Sequence, residues 1–226
     1  NEPESLFAHL DSFPPSMRSE NFGFRCMKEI SGLGGQPEPF RPFELMAPTG
    51  NATRKPCSDE VFGVYRRLYD YTKSDLAVRI ESVTDWSEST RVERVTLDDA
   101  YGEDRISVYL FIPRNGHPPY QTIVYFPGDS AWSLDSVFDY GTVKSREVEL
   151  FTASGRAFVF PVFRGTFERR SAPRQPATPE GGRNTMIRWY RDLSRCLDYL
   201  ETRLEFAMGK LAYQGLSGGG ARGVVF

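Results

Sequence analysis

Lys210-Leu211-Ala212-Tyr213-Gln214-Gly215-Leu216-Ser217-Gly218-Gly219-Gly220-Ala221-Arg222-Gly223 decides how this chain is read. A short apolar run enters a Gly-x-Ser-x-Gly pattern, which is how a strand turns sharply into a helix and leaves a serine hydroxyl exposed at the bend. Ser217 is therefore a candidate nucleophile, with Gly215 and Gly219 supporting the turn. The acid and histidine that activate such a serine follow it in the chain. They are expected beyond Phe226, which would make this chain a piece truncated after the elbow.

Upstream, Thr122–Phe126 and Ala157–Phe163 are continuous apolar runs, as expected of parallel strands buried on both faces. Leu211–Gln214 is expected to be a third buried strand. Between the first two, Arg146–Ala153 reads as a helix closed by Gly155. From Thr185 to Leu204, the residues Met186, Tyr190, Leu193, Leu197, Leu200 and Leu204 recur at helical spacing, which predicts a core-facing stripe with Arg188 and Asp192 paired on the outside. Earlier still, Asp75–Val83, Arg91–Asp98 and Arg105–Pro113 read as antiparallel strands, the last two joined by a turn at residues 101–104. In the last of them Ile106, Val108, Leu110 and Ile112 share one face. A short amphipathic helix after Ser58 carries Val61, Val64, Tyr65, Leu68 and Tyr71. The predicted class is α/β, with antiparallel N-terminal strands leading into a mostly parallel sheet that has helices on both faces.

Functional loops in such sheets leave the carboxyl ends of the parallel strands. The loop after Phe126 reads Pro127-Gly128-Asp129-Ser130-Ala131. Acyl transfer needs two backbone N–H donors aimed at the developing oxyanion. One is expected from Gly218 and the other from Asp129 or Ser130, with Gly128 allowing close approach. The loop Arg164–Arg170 is basic, and is expected to be exposed and paired internally through Glu168. The histidines His9 and His117 both precede the elbow and read as surface residues.

From about residue 90 to 226 the chain resembles the prolyl oligopeptidase and dienelactone-hydrolase branch of the α/β hydrolases. The resemblance rests on Tyr120–Gly128, Pro161–Thr166, the Tyr190-Arg191-Asp192-Leu193 helix and Gly215–Gly219. It implies a serine hydrolase acting on a small-molecule ester or peptide substrate, with Ser217 as nucleophile and oxyanion donors near Gly218 and Asp129. Residues 217–223 also resemble the Gly-Gly-Gly-x-Arg-Gly motif of patatin-like phospholipases, and a hydrolase-shaped module that binds without catalysing is a further alternative. Gly218, Gly220 and Gly223 satisfy a lone dinucleotide fingerprint, a weak signal. Residues 1–30, with Gly23-Phe24-Arg25-Cys26, resemble the C-terminal tail of a formylglycine-generating (sulfatase-modifying) enzyme-like domain, which implies a covalently tethered upstream domain. Residues 31–57 read as a linker or arm, and 58–226 as the hydrolase-like domain.

The 226 residues carry 28 Lys and Arg against 30 Asp and Glu, so no basic field exists to hold nucleic acid. No apolar stretch reaches the roughly 20 residues needed to span a membrane. The cysteines Cys26, Cys57 and Cys196 are widely spaced and show no metal-ligand pattern, so buried, reduced thiols in a cytoplasmic protein are expected. No metal or cofactor is implied.

Overall fold

The computed structural model describes residues 55–170 and 178–223. The chain divides into two compact units, Asn1–Ser58 and Asp59–Phe226. The formylglycine-generating-enzyme-like tail, most of the 31–57 arm, His9 and Cys26 lie outside the described residues.

Six strands form one sheet: β1 (Arg79–Asp85), β2 (Thr90–Asp98), β3 (Arg105–Pro113), β4 (Tyr120–Phe126), β5 (Ala157–Pro161) and β6 (Phe206–Gly215), in the order β1-β2-β3-β5-β4-β6. The first three pair antiparallel, as does β3 with β5, while β4 runs parallel to both β5 and β6. The helices are α1 (Asp59–Arg67), α2 (Gly141–Lys144), α3 (Val148–Ala153), α4 (Pro179–Glu201) and α5 (Gly218–Arg222). This is the α/β arrangement that the sequence predicts.

The pleat explains the two-sided core. Along β3, Ile106, Val108, Leu110 and Ile112 join Trp189, Leu193, Cys196, Tyr199 and Leu200 of α4 in one cluster. Tyr109 and Phe111 project the other way, into a second cluster with Val143 of α2 and Val148 of α3. The face expected to be shared by Ile106, Val108, Leu110 and Ile112 is observed, and helices cover both sides of β3. Each fully buried aliphatic or aromatic side chain here contributes about 1.5–3 kcal/mol.

Several boundaries differ from those the sequence suggests. The first strand starts at Arg79 because the chain before it serves as a strap: Arg195 donates to the carbonyls of Ser74, Asp75 and Asp98, and Arg105 to that of Ala77. The long helix starts at Pro179, where the Thr178 hydroxyl accepts from Gly181 N–H and proline sits in the first turn. Its stripe is rotated. Asp192 and Arg195 face inward, and Leu204 lies beyond the helix and is 94% exposed. The predicted outside pair of Arg188 and Asp192 does not form; Arg188 lies 3.3 Å from Glu103. The apolar residues of α1 are exposed, and so is Cys57, whereas Cys196 is buried.

Strand β6 is not the buried strand expected. Ala212, Tyr213 and Gln214 are exposed, because β6 is the sheet edge and pairs only with β4 among the described residues. Within those residues no helix is long and apolar enough to cross a membrane.

Candidate active site

Because β4 and β6 are parallel neighbours, with Phe126 opposite Gly215, their carboxyl ends bring the 127–131 loop beside the elbow. Ser217 has φ 51° and ψ −117°, a left-handed φ that a non-glycine residue rarely adopts, and the residue is exposed. The turn is held by Leu216 N–H donating to the Phe126 carbonyl at 3.2 Å and Gly219 N–H to the Leu216 carbonyl at 2.8 Å.

Close approach, not chirality, explains the flanking glycines. A Cβ at Gly215 would lie 2.5 Å from the Gly219 carbonyl carbon, and one at Gly219 would lie 2.3 Å from the Phe126 oxygen. On the facing loop, a side chain at Gly128 would meet Ser217 Cβ at 3.3 Å. Its own N–H donates to the Tyr140 hydroxyl at 2.7 Å, which fixes the loop from below. Asp129 and Ser130 are exposed at the start of a single 3-10 turn, Asp129–Trp132. Among the described residues, no backbone acceptor takes the N–H of Asp129, Ser130 or Gly218.

Three solved structures of related architecture can be aligned with the chain. An acetyl xylan esterase 1 from Thermoanaerobacterium sp. is 15% identical, with a TM-score of 0.54 over 74% of this chain and 53% of its own. A structure described as an acetyl xylan esterase from Bacteroides fragilis is 14% identical, with a TM-score of 0.57 over 74% of this chain and 48% of its own. A glucuronoyl esterase from Teredinibacter turnerae is 15% identical, with a TM-score of 0.50 over 74% and 47%. The fold is that of the α/β hydrolases. This chain spans about half the length of those structures. No family model and no curated protein sequence matches it.

Within the α/β-hydrolase sheet, the loop after β5 is buried where exposure was expected. Gly165, Thr166, Phe167 and Arg169 are buried, because Arg169 turns inward to Asp192 at 2.7 Å, and Asp192 also accepts from Arg164 N–H at 3.0 Å. Full burial pushes the Asp192 carboxyl up from its ordinary value, and the Arg169 guanidinium opposes that push. Glu168 stays outside and accepts from the Tyr109 hydroxyl at 2.6 Å.

The other side chains around the elbow were not singled out from sequence. Tyr213 is 40% exposed, its hydroxyl donates to the Gly219 carbonyl at 2.8 Å, and partial desolvation of that hydroxyl raises the phenol above its ordinary value. Arg222 reaches Asp129 at 2.8 Å and lies over the Trp189 ring at 4.8 Å from its centroid. Arg222 and Asp129 are 93 positions apart in sequence, so no local spacing could have paired them. His117 lies in the loop entering β4, about 20 Å from the elbow by strand length. Among the described residues no cluster of His, Cys, Asp or Glu could hold a metal ion.

Proposed function

We propose that this chain carries the nucleophile-bearing half of a serine hydrolase acting on a carboxylic ester. The observation that carries the reading is the backbone of Ser217, held at positive φ between β6 and α5 with the 127–130 loop against it. In this reading Ser217 Oγ attacks the acyl carbon, and its proton passes to a general base. The carbonyl oxygen becomes an oxyanion that accepts from Gly218 N–H and from Asp129 or Ser130 N–H. The tetrahedral intermediate then collapses, the alcohol leaves with a proton, and water releases the acyl group. The esterase names of the three aligned structures support an ester over a peptide substrate.

Among the described residues no imidazole reaches Ser217, so the base and its orienting acid must come from elsewhere in the protein. Without them the hydroxyl is a weak nucleophile. The test is hydrolysis of p-nitrophenyl acetate by the full-length protein. Ser217→Ala should lower kcat by roughly 10³-fold or more. Hydrolysis that persists at the parent rate would remove Ser217 from the chemistry.

A further inference from the structure

The Asp129 carboxylate lies against Gly218, whose N–H is assigned to the oxyanion in the proposed function. A side chain built on Gly218 would meet Asp129 Oδ1 at 2.4 Å and Arg222 Nη1 at 2.3 Å, so both groups abut the residue whose N–H is assigned to the oxyanion. An uncompensated anion there repels the charge that develops on the carbonyl oxygen, most strongly once substrate has displaced water.

Arg222 compensates it. Its Nη2 lies 2.8 Å from Asp129 Oδ1; the Arg222 side chain is 20% exposed and that of Asp129 63%. The guanidinium rests on Trp189, whose indole N–H donates to the Arg164 carbonyl at 2.9 Å and whose ring packs on Trp132 at 5.0 Å. The cation is therefore stacked in place. Arg222 belongs to α5 and Asp129 to the loop after β4, so the pair joins the two segments that each supply one oxyanion donor.

We infer that Arg222 is a positioning residue, which neutralises Asp129 beside the oxyanion site and clamps the 127–130 loop to the elbow. The inference rests on Ser217 being the nucleophile. It is tested with p-nitrophenyl acetate and the full-length protein. Arg222→Met, which keeps the length of the chain over Trp189, should lower kcat about tenfold to a hundredfold and change KM less than about threefold, somewhat less than the loss of a direct oxyanion donor. Arg222→Lys keeps the charge and should retain a larger share of kcat. Adding Asp129→Asn to Arg222→Met should recover kcat at least fivefold, because the repelling charge is gone. A purely structural arginine would give no such recovery, and that result would overturn the inference. So would an unchanged kcat in Arg222→Met, or a raised KM at constant kcat, which would make Arg222 a substrate contact. Ser217→Ala, assayed alongside, separates the two readings: activity that survives it rejects the nucleophile, whereas activity lost there but intact in Arg222→Met rejects the clamp alone.

Discussion

Replacing Gly219 with alanine drives the elbow against β4. The added Cβ would lie 2.3 Å from the Phe126 oxygen and 2.8 Å from the Pro127 oxygen, where an ordinary contact is about 3.4–4 Å. Both atoms are backbone, so neither can rotate away. Relief requires about 1 Å of separation between the elbow and the 127–130 loop, at an overpacking cost of about 1–3 kcal/mol. The same movement takes Gly218 N–H away from its counterpart on that loop, and a displacement of about 1 Å at a reacting centre costs on the order of 10²-fold in rate. Urea unfolding should show a lower midpoint with an unchanged m-value, and fluorophosphonate labelling of Ser217 in the full-length protein should slow tenfold to a hundredfold under conditions where the variant is folded. Gly220→Ala, whose nearest contact would be 3.2 Å, should be milder on both measures. A Gly219→Ala protein with the parent midpoint and labelling rate would refute the close-packed elbow.

Asp192→Ala removes the 2.7 Å partner of the buried Arg169 guanidinium, which keeps Asp104 at 2.9 Å, and should cost about 1–3 kcal/mol. A thermal or urea midpoint close to that of the parent would contradict the buried pair. Burial raises the Tyr109, Tyr125 and Tyr199 phenols above their ordinary value of 10.0. The unfolded chain then ionises first, so the stability these phenols provide is complete below about pH 10 and declines as pH rises above it. The urea midpoint should fall between pH 9 and pH 11.5, and a flat profile would show the phenols to be solvated.

The strands were legible wherever the signal was local. The apolar runs at 122–126 and 157–163 and the alternation at 105–113 fall on β4, β5 (which ends two residues earlier, at Pro161) and β3, since backbone pairing and pleat follow from side-chain type in a short window. The elbow was legible for the same reason, its glycines lying within five residues. What failed depended on partners far along the chain. The stripe of α4 was misphased because Asp192 and Arg195 are buried by Arg169 and by the 74–75 carbonyls, a pairing that no hydropathy pattern reveals. The edge position of β6 follows from sheet order, not from its residues. Arg222 entered the sequence reading only as part of the Gly-Gly-Gly-x-Arg-Gly resemblance, and only the fold puts it on Asp129 and Trp189.

The most direct test of the account is intact-mass and peptide mapping of the full-length protein after reaction with a fluorophosphonate. The account predicts a single phosphonyl adduct on Ser217, absent from Ser217→Ala. An adduct on another residue, or labelling undiminished in Ser217→Ala, would contradict it.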